Sequence, residues 1–288
     1  MLDPTRPYAQ LSEREPQRDV SGEVAAVDVS TVFLTASRCP VGCAMCDLHL
    51  NTLPHPTERG AIAEQIRFAH SVLPAAPWIK LYNSGNFFDP ASIPPADYTQ
   101  IAALCDRYQR VIVENHPRFG RQRHQRFRDQ LNGTLEIAVG LETVQPRILK
   151  RLGKQMSRDD FDGYARCLRD WSIDLRVFLI VGSPGMSVVE SIRWARMSVR
   201  HALLTGARHV SLIPARAGHG WNGAAHSLPD IRPNHLADLF VDCLDDVAGA
   251  TCLSVDLWGF HQADLPVADQ QLLSRLESAV LRQDADQL

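Results

Sequence analysis

The chain has 288 residues, enough for one large domain or two of ordinary size, and its 45% hydrophobic and 22% charged residues sit near globular averages. That composition excludes a mainly disordered, collagenous or coiled-coil protein. Lys and Arg number 30 against 33 Asp and Glu, for a net charge of -3, which excludes nucleic-acid binding through bulk positive charge but leaves a local basic patch open.

Residues 1–22 carry Pro, Arg, Glu and Gln where a secretory signal would have a basic head and an apolar stretch, so they are expected to form an extended arm or a short lead-in helix. No apolar run approaches the ~20 residues of a membrane helix, and no membrane association is expected. Seven cysteines, an odd number, fit a reducing compartment, here the cytoplasm, better than a disulfide scaffold.

Short β-rich runs then alternate with amphipathic stretches. Ser30 to Thr35, Trp78 to Tyr82, Arg110 to Glu114, Thr134 to Gly140, Asp174 to Val181 and Arg208 to Ile213 are rich in Val, Ile, Leu and Phe and are bounded by polar residues, Gly or Pro. Between them, faces such as Ile62, Ile66, Ala69 and Leu73, or Phe161, Tyr164, Ala165, Leu168 and Trp171, repeat at helical spacing. The pattern predicts six parallel strands in βα units over residues 23–214. Residues Pro214 to Pro233 lack either period and read as a long loop, in which His219, Trp221, Asn222 and His226 either cap a substrate or occupy surface turns. A helix around Leu236 to Val247, a strand over Cys252 to Leu257 and a helix from Val267 follow, so residues 215–288 are expected as an α/β extension packed on the main body.

The strongest motif is Cys39-Pro-Val-Gly-Cys43-Ala-Met-Cys46, three thiols within eight residues after the first apolar strand. Structural zinc is almost always four-coordinate, so a zinc site here needs His49 or His55 as the fourth ligand. Three thiolates also suit a cubane [4Fe-4S] cluster with one iron left open, and three merely structural cysteines are the remaining alternative. Cys105, Cys167, Cys243 and Cys252 contain no tight pair, and buried packing is expected for them, with Cys167 and Cys243 on apolar helix faces.

Cys-x3-Cys-x2-Cys at this place in a βα repeat resembles the radical S-adenosylmethionine superfamily. The resemblance implies a partial (βα)6 TIM-like barrel, a cluster whose open iron chelates S-adenosylmethionine, and reductive cleavage to a 5′-deoxyadenosyl radical that abstracts hydrogen from substrate. It implies as partner an external one-electron donor such as a flavodoxin or ferredoxin, and sensitivity to oxygen. Where the family has an aromatic residue before the third cysteine, this chain has Met45.

Further likenesses follow in order. Asn83, Ser84 and Gly85 resemble the segment that meets the methionine amino group. Gly140-Leu141-Glu142-Thr143 resembles the segment that contacts ribose or the methionine carboxylate, with Glu142 for the ribose hydroxyls and Lys154 either for the carboxylate or as a solvated lysine. Gly182-Ser183-Pro184-Gly185 resembles the adenine-lining turn of the Elp3- and MiaB-like branch, and Pro214 would border the same base. Leu81 to Asp89 with Val113 to Pro117 resembles the radical subunit of archaeosine synthase, which makes Glu114 a candidate for substrate or cofactor contact; a structural ion pair is its alternative.

Seven arginines between positions 107 and 128 would suit phosphates, as tRNA modification requires, or form a solvated outer face. The sequence favours the solvated face and a small or medium-sized substrate. Modification of a 7-deazaguanine nucleotide in tRNA is the alternative, and a non-catalytic metal-binding or scaffold protein is the alternative from another class.

Overall fold

In the computed structural model, residues 2–217, 220–260 and 264–288 are described. Eight strands form one sheet in sequence order: β1 (Ala9–Arg18), β2 (Val24–Phe33), β3 (Trp78–Tyr82), β4 (Arg110–Glu114), β5 (Thr134–Glu142), β6 (Asp174–Val181), β7 (His209–Pro214) and β8 (Cys252–Val255). The strands from β2 to β8 are parallel throughout, and the edges β1 and β8 approach each other, giving a nearly closed barrel.

Helices α1 (Ala61–Val72), α2 (Tyr98–Cys105), α3 (Gln122–Arg128), α4 (Pro146–Arg151), α5 (Arg158–Asp170), α6 (Val188–Leu204), α7 (Pro233–Val247) and α8 (Val267–Arg282) complete the α/β architecture. Among the described residues no helix is long and apolar enough to cross a membrane.

One expectation is corrected in part: the segment expected as an extended arm or a short lead-in helix contains no helix among its described residues, and its Ala9–Arg18 stretch is the strand β1, paired antiparallel with β2 along ten residues with Glu13 and Glu15 turned toward the barrel interior. The six parallel strands expected over residues 23–214 are β2 to β7, and β8, the strand expected in the C-terminal extension, pairs parallel with β7 and continues the same sheet.

Strand alternation separates two chemistries. Side chains pointing outward, such as Val32, Leu81, Val113, Val139, Val177 and Leu212, are fully buried against the helices and form the main core. Those pointing inward are largely polar. Lys80 pairs with Glu13 at 2.7 Å and Glu15 at 2.5 Å, and Arg176 bridges Glu15 at 2.6 Å and Glu136 at 2.7 Å. Arg208 and Arg110 reach Glu136 at 2.7 and 2.8 Å. Burial alone would raise the Glu136 carboxyl, but Arg208, Arg176 and Arg110 hold it well below the usual carboxylate range. This ionic layer, with Val29, Trp78 and Ile112, plugs the barrel at the amino ends of the strands. What remains accessible inside lies toward the carboxyl ends, where inward-facing Phe33, Tyr82, Phe178 and Ile180 are only half-buried.

Candidate active site at the carboxyl ends of the strands

Ligand sites of parallel α/β folds gather where strands end and loops begin, and the three-cysteine loop lies there, after β2. Cys39, Cys43 and Cys46 are half-buried thiols. Two backbone links fix the loop: Ala44 N–H donates to Leu152 O at 2.8 Å, and the Gln155 side chain donates to Val41 O at 3.0 Å. Asn86 Nδ2 donates to Cys39 Sγ at 3.1 Å, so one sulfur already has an oriented hydrogen-bond donor.

Burial pushes the Cys43 thiol up to about 11 and also raises Cys46. A bound cluster would reverse that direction, because iron stabilises the thiolate directly. Among the described residues no three His, Cys, Asp or Glu side chains converge on a position for one ion. His55 is exposed and engaged with Pro56 O at 3.0 Å. The donor set therefore fits a group that takes one thiolate at each of three irons better than a single zinc.

After β3, Asn83 and Ser84 of the Asn83-Ser84-Gly85 turn are buried, and Ser84 adopts a left-handed backbone with φ of 53°. Glu114, ending β4, holds that turn: its Oε1 accepts Asn83 N–H at 2.8 Å and Gly85 N–H at 3.2 Å. A Cβ built on Gly85 would sit 3.5 Å from Cys39 Cβ, so the turn lies directly against the first thiol. Tyr8, from the segment before β1, shares a 3.0 Å hydrogen bond with Ser84.

After β5, Glu142 and Lys154 form a direct ion pair, both over nine-tenths buried. Lys154 is therefore not a solvated lysine. Glu142 has φ of 66°, beside a register shift between Gly140 and Glu142, and a Cβ at Gly140 would collide with both members of the pair. Buried non-glycine residues rarely hold φ above zero; Ser84 and Glu142 both do so in proposed binding segments, and buried Trp221, with φ of 60°, does so beside the cysteine loop. His116, after β4, ties the halves together: its N–H donates to Asn86 Oδ1 at 2.7 Å and its Nε2 meets Lys154 O at 2.9 Å.

Gly182, with φ of 95°, and Pro214 end β6 and β7 side by side, Val181 O accepting Ala215 N–H at 2.8 Å. Beside them Met45 packs in one apolar cluster with Trp221, Ile148, Leu152 and Ile180. Trp221 is thus a buried packing residue and not an open cap, while Asn222 and His226 are exposed. His219 lies outside the described residues. Gly220 touches the cysteine loop so closely that a Cβ there would meet Met45 C and O at 2.5 Å.

The structure links the cysteine loop to the Asn83–Gly85 turn, Glu114, Lys154 and Glu142, and sets Gly182 and Pro214 at the ends of the adjacent strands β6 and β7. It adds Asn86, His116 and Tyr8, whose roles sequence reasoning missed. Asn86 and His116 sit in segments that the motif reading had quoted; Tyr8 carries no signal beyond lying before an unpredicted strand. The seven arginines do not share one face. Arg110 belongs to the barrel plug and Arg128 reaches Trp171 O, while Arg118, exposed, reaches the cysteine loop through Gln155, and Arg121 is exposed. Cys105, Cys243 and Cys252 are buried, but Cys167 is exposed because it lies beside the α5 stripe of Phe161, Tyr164 and Leu168 and not within it.

No protein-family model matches the sequence, and no curated protein matches it. Solved structures do match, among them one described as a radical SAM enzyme. Streptococcus suis SuiB bound to S-adenosylmethionine superposes with a TM-score of 0.59 at 10% identity over 78% of this chain and 49% of its own. Methylornithine synthase (PylB) gives 0.55 at 13% identity over 90% and 83%, and coproporphyrinogen III oxidase (HemN) from Escherichia coli gives 0.50 at 11% over 77% and 52%. The chain thus has the fold of the radical S-adenosylmethionine enzymes, and it spans about half the length of SuiB.

Proposed function

We propose that the protein is a radical S-adenosylmethionine enzyme. The observation that carries this reading is the set of three thiols, Cys39, Cys43 and Cys46, at the mouth of a barrel with that enzyme fold. A [4Fe-4S] cluster held there would supply the electron that cleaves S-adenosylmethionine and initiates hydrogen abstraction.

The chain's own residues then do the positioning. The Asn83–Gly85 turn, kept in place by Glu114, receives the methionine amino group. Lys154 offers its remaining N–H groups to the methionine carboxylate, and Glu142 its second oxygen to ribose hydroxyls; because the two are already paired, neither is an isolated buried charge before the cofactor arrives. Gly182 and Pro214 border the adenine. Met45 and Trp221 keep water from the loop, which matters because a radical must meet only its substrate.

The substrate enters the space lined by Phe33, Tyr82 and Phe178 above the ionic plug. A small or medium-sized molecule is favoured there over a tRNA nucleotide because the arginines are dispersed. A buried constellation of this kind also favours an enzyme over a metal-binding scaffold. The test is anaerobic: protein reconstituted with iron and sulfide, given S-adenosylmethionine and dithionite, should form 5′-deoxyadenosine and methionine. A protein that carries the cluster but forms neither is not a radical enzyme.

A further inference from the structure

Strand parity places a band of aromatic rings directly above the ionic plug. Arg176 and Lys80 both reach Glu15 inside the barrel, at 2.6 and 2.5 Å, so Phe178 and Tyr82, each two residues further along its strand, point into the same lumen. Their ring centroids lie 6.1 Å apart, edge to face, although β6 and β3 are not neighbours in the sheet, so the two rings meet across the lumen and form a floor. Phe33 stands 6.1 Å from Tyr82, and Tyr8 and Trp258 stand 5.6 and 6.0 Å from Phe33. Tyr8 carries this wall to the Asn83–Gly85 turn through its hydrogen bond with Ser84. Trp258 is 60% exposed and Phe33, Tyr82 and Phe178 are half-buried, so part of the band is open.

The β7 side of the floor is polar. His209 pairs in register with Arg176, and Ser211 with Phe178, which puts Ser211 at the level of the rings. His209 Nε2 lies 2.8 Å from Ser254 Oγ, which lies 2.9 Å from Ser211 Oγ. Burial, with Arg176 adding to it, holds the His209 imidazole well below its usual value, so the ring is neutral. Its Nδ1 is buried without a hydrogen-bond partner among the described residues. A bare lone pair near the Arg176 and Arg208 guanidinium groups is favoured over a bare N–H, so the proton sits on Nε2. Nε2 then donates to Ser254, Ser254 donates to Ser211, and the Ser211 hydroxyl keeps a proton for an acceptor in the lumen. The charges beneath are already matched, since Lys80, Glu13, Glu15, Arg176 and Glu136 pair with one another.

We propose that the substrate is an uncharged aromatic or heteroaromatic molecule whose ring lies on Tyr82 and Phe178 against Phe33 and whose carbonyl oxygen or ring nitrogen accepts the Ser211 proton. The inference deepens the radical enzyme reading and rests on it, because Tyr8 sets the same wall beside the turn assigned to the methionine amino group. Aromatic faces favour another ring over a saturated one of equal size. A charged substrate would lose its hydration above groups that are already paired.

The experiment uses the reconstituted full chain with S-adenosylmethionine and follows three probes by saturation-transfer NMR. Benzamide has the ring and the acceptor, cyclohexanecarboxamide keeps the acceptor without the aromatic ring, and benzoate keeps the ring and adds a charge. Benzamide should bind at least about fivefold more tightly than either of the others. Phe33→Leu should abolish most of the preference for benzamide over cyclohexanecarboxamide, and Phe33→Tyr should keep it. Ser211→Ala should weaken both amides alike, by roughly threefold to tenfold. The ratio of two affinities within one variant does not depend on the fraction folded, so misfolding cannot imitate the Phe33→Leu result. Dithionite-driven 5′-deoxyadenosine formation by the wild type reports the enzyme reading separately. Cleavage present with no benzamide binding, with equal affinities for the three probes, or with a preference untouched by Phe33→Leu overturns the substrate class alone. Cleavage absent overturns the enzyme reading and this inference with it.

Discussion

Glu114 Oε1 accepts the backbone N–H of Asn83 at 2.8 Å across the gap between β4 and β3. Burial raises the Glu114 carboxyl, and the N–H groups of Asn83, Gly85 and Ser84 oppose that rise. The residue is thus a positioning residue: it shapes a turn whose Ser84 would otherwise resist a left-handed backbone. Glu114→Gln keeps an acceptor oxygen and should leave S-adenosylmethionine affinity within a few-fold of wild type. Glu114→Ala should weaken it about tenfold or more with iron content unchanged, the loss of one charge-assisted hydrogen bond. A calorimetric titration of both variants checks this, and equal affinity in Glu114→Ala would remove the role.

Each of Cys39, Cys43 and Cys46 is expected to ligate a different iron, because thiolates match its soft coordination. Single replacement by Ala should remove most of the iron and all S-adenosylmethionine cleavage, read by iron assay and 5′-deoxyadenosine yield. By contrast, Cys167→Ser should change neither, since that thiol is exposed on the far side of α5.

Glu142 and Lys154 are coupled, so their variants should not behave independently. Glu142→Ala leaves a buried ammonium without its partner and should cost about 3–5 kcal/mol of stability besides weakening S-adenosylmethionine binding. Lys154→Met/Glu142→Gln, which removes both charges, should recover most of that stability without recovering affinity. Urea unfolding paired with ligand titration separates the two effects; a double variant as unstable as Glu142→Ala would show that charge pairing is not what the site requires.

The cysteine loop was legible because ligand spacing is local, and the outward faces of the strands were legible because burial against helices leaves continuous apolar runs. What lay hidden was non-local. Glu13, Glu15, Lys80 and Arg176 each look like solvated surface charges in sequence, and only closure of the sheet brings residues 161 positions apart into contact. The same charges disguised β1 as an arm, since a strand facing an ionic interior lacks the apolar alternation that marks one facing a core. The Glu142–Lys154 pair was missed for a smaller reason: a left-handed backbone at Glu142 turns its side chain in a direction that strand periodicity does not predict.

The barrel plug is electrostatically interlocked, and Glu136 is its hub. Glu136→Gln removes the charge shared by Arg176, Arg208 and Arg110 and should destabilise by about 3–5 kcal/mol in urea unfolding. The wild-type carboxyl is held well below its unfolded value of about 4.3, so its contribution is present above that pH and is lost as the pH falls toward the folded value. Glu136→Gln should therefore be less sensitive to acid below about pH 4 than the wild type. Identical acid sensitivity in the two proteins would place the acid-labile group elsewhere.

His124 gives a second, separable pH signature. Its Nδ1 lies 2.7 Å from Arg121 O and its Nε2 lies 2.6 Å from Tyr164 OH, so the neutral ring donates at Nδ1 and accepts at Nε2. The ring also packs 4.2 Å from Phe88. Burial first, then the nearby Arg123, lowers the imidazole to about 4, while the Arg121 carbonyl opposes that shift. An unfolded histidine titrates near about 6.5, so the unfolded chain takes up the proton first as pH falls. Stability is complete above about 6.5 and declines toward about 4, by up to roughly 3 kcal/mol for a shift of this size. His116 is lowered to about 4 as well and acts in the same direction. His124→Gln, measured by urea unfolding of the cluster-free protein between pH 7 and 4.5, should thus lower stability at pH 7 yet remove about half of the acid-dependent loss. If wild type and variant lose stability in parallel across that range, His124 is not titrating there and the decline belongs to His116 or to the carboxylates.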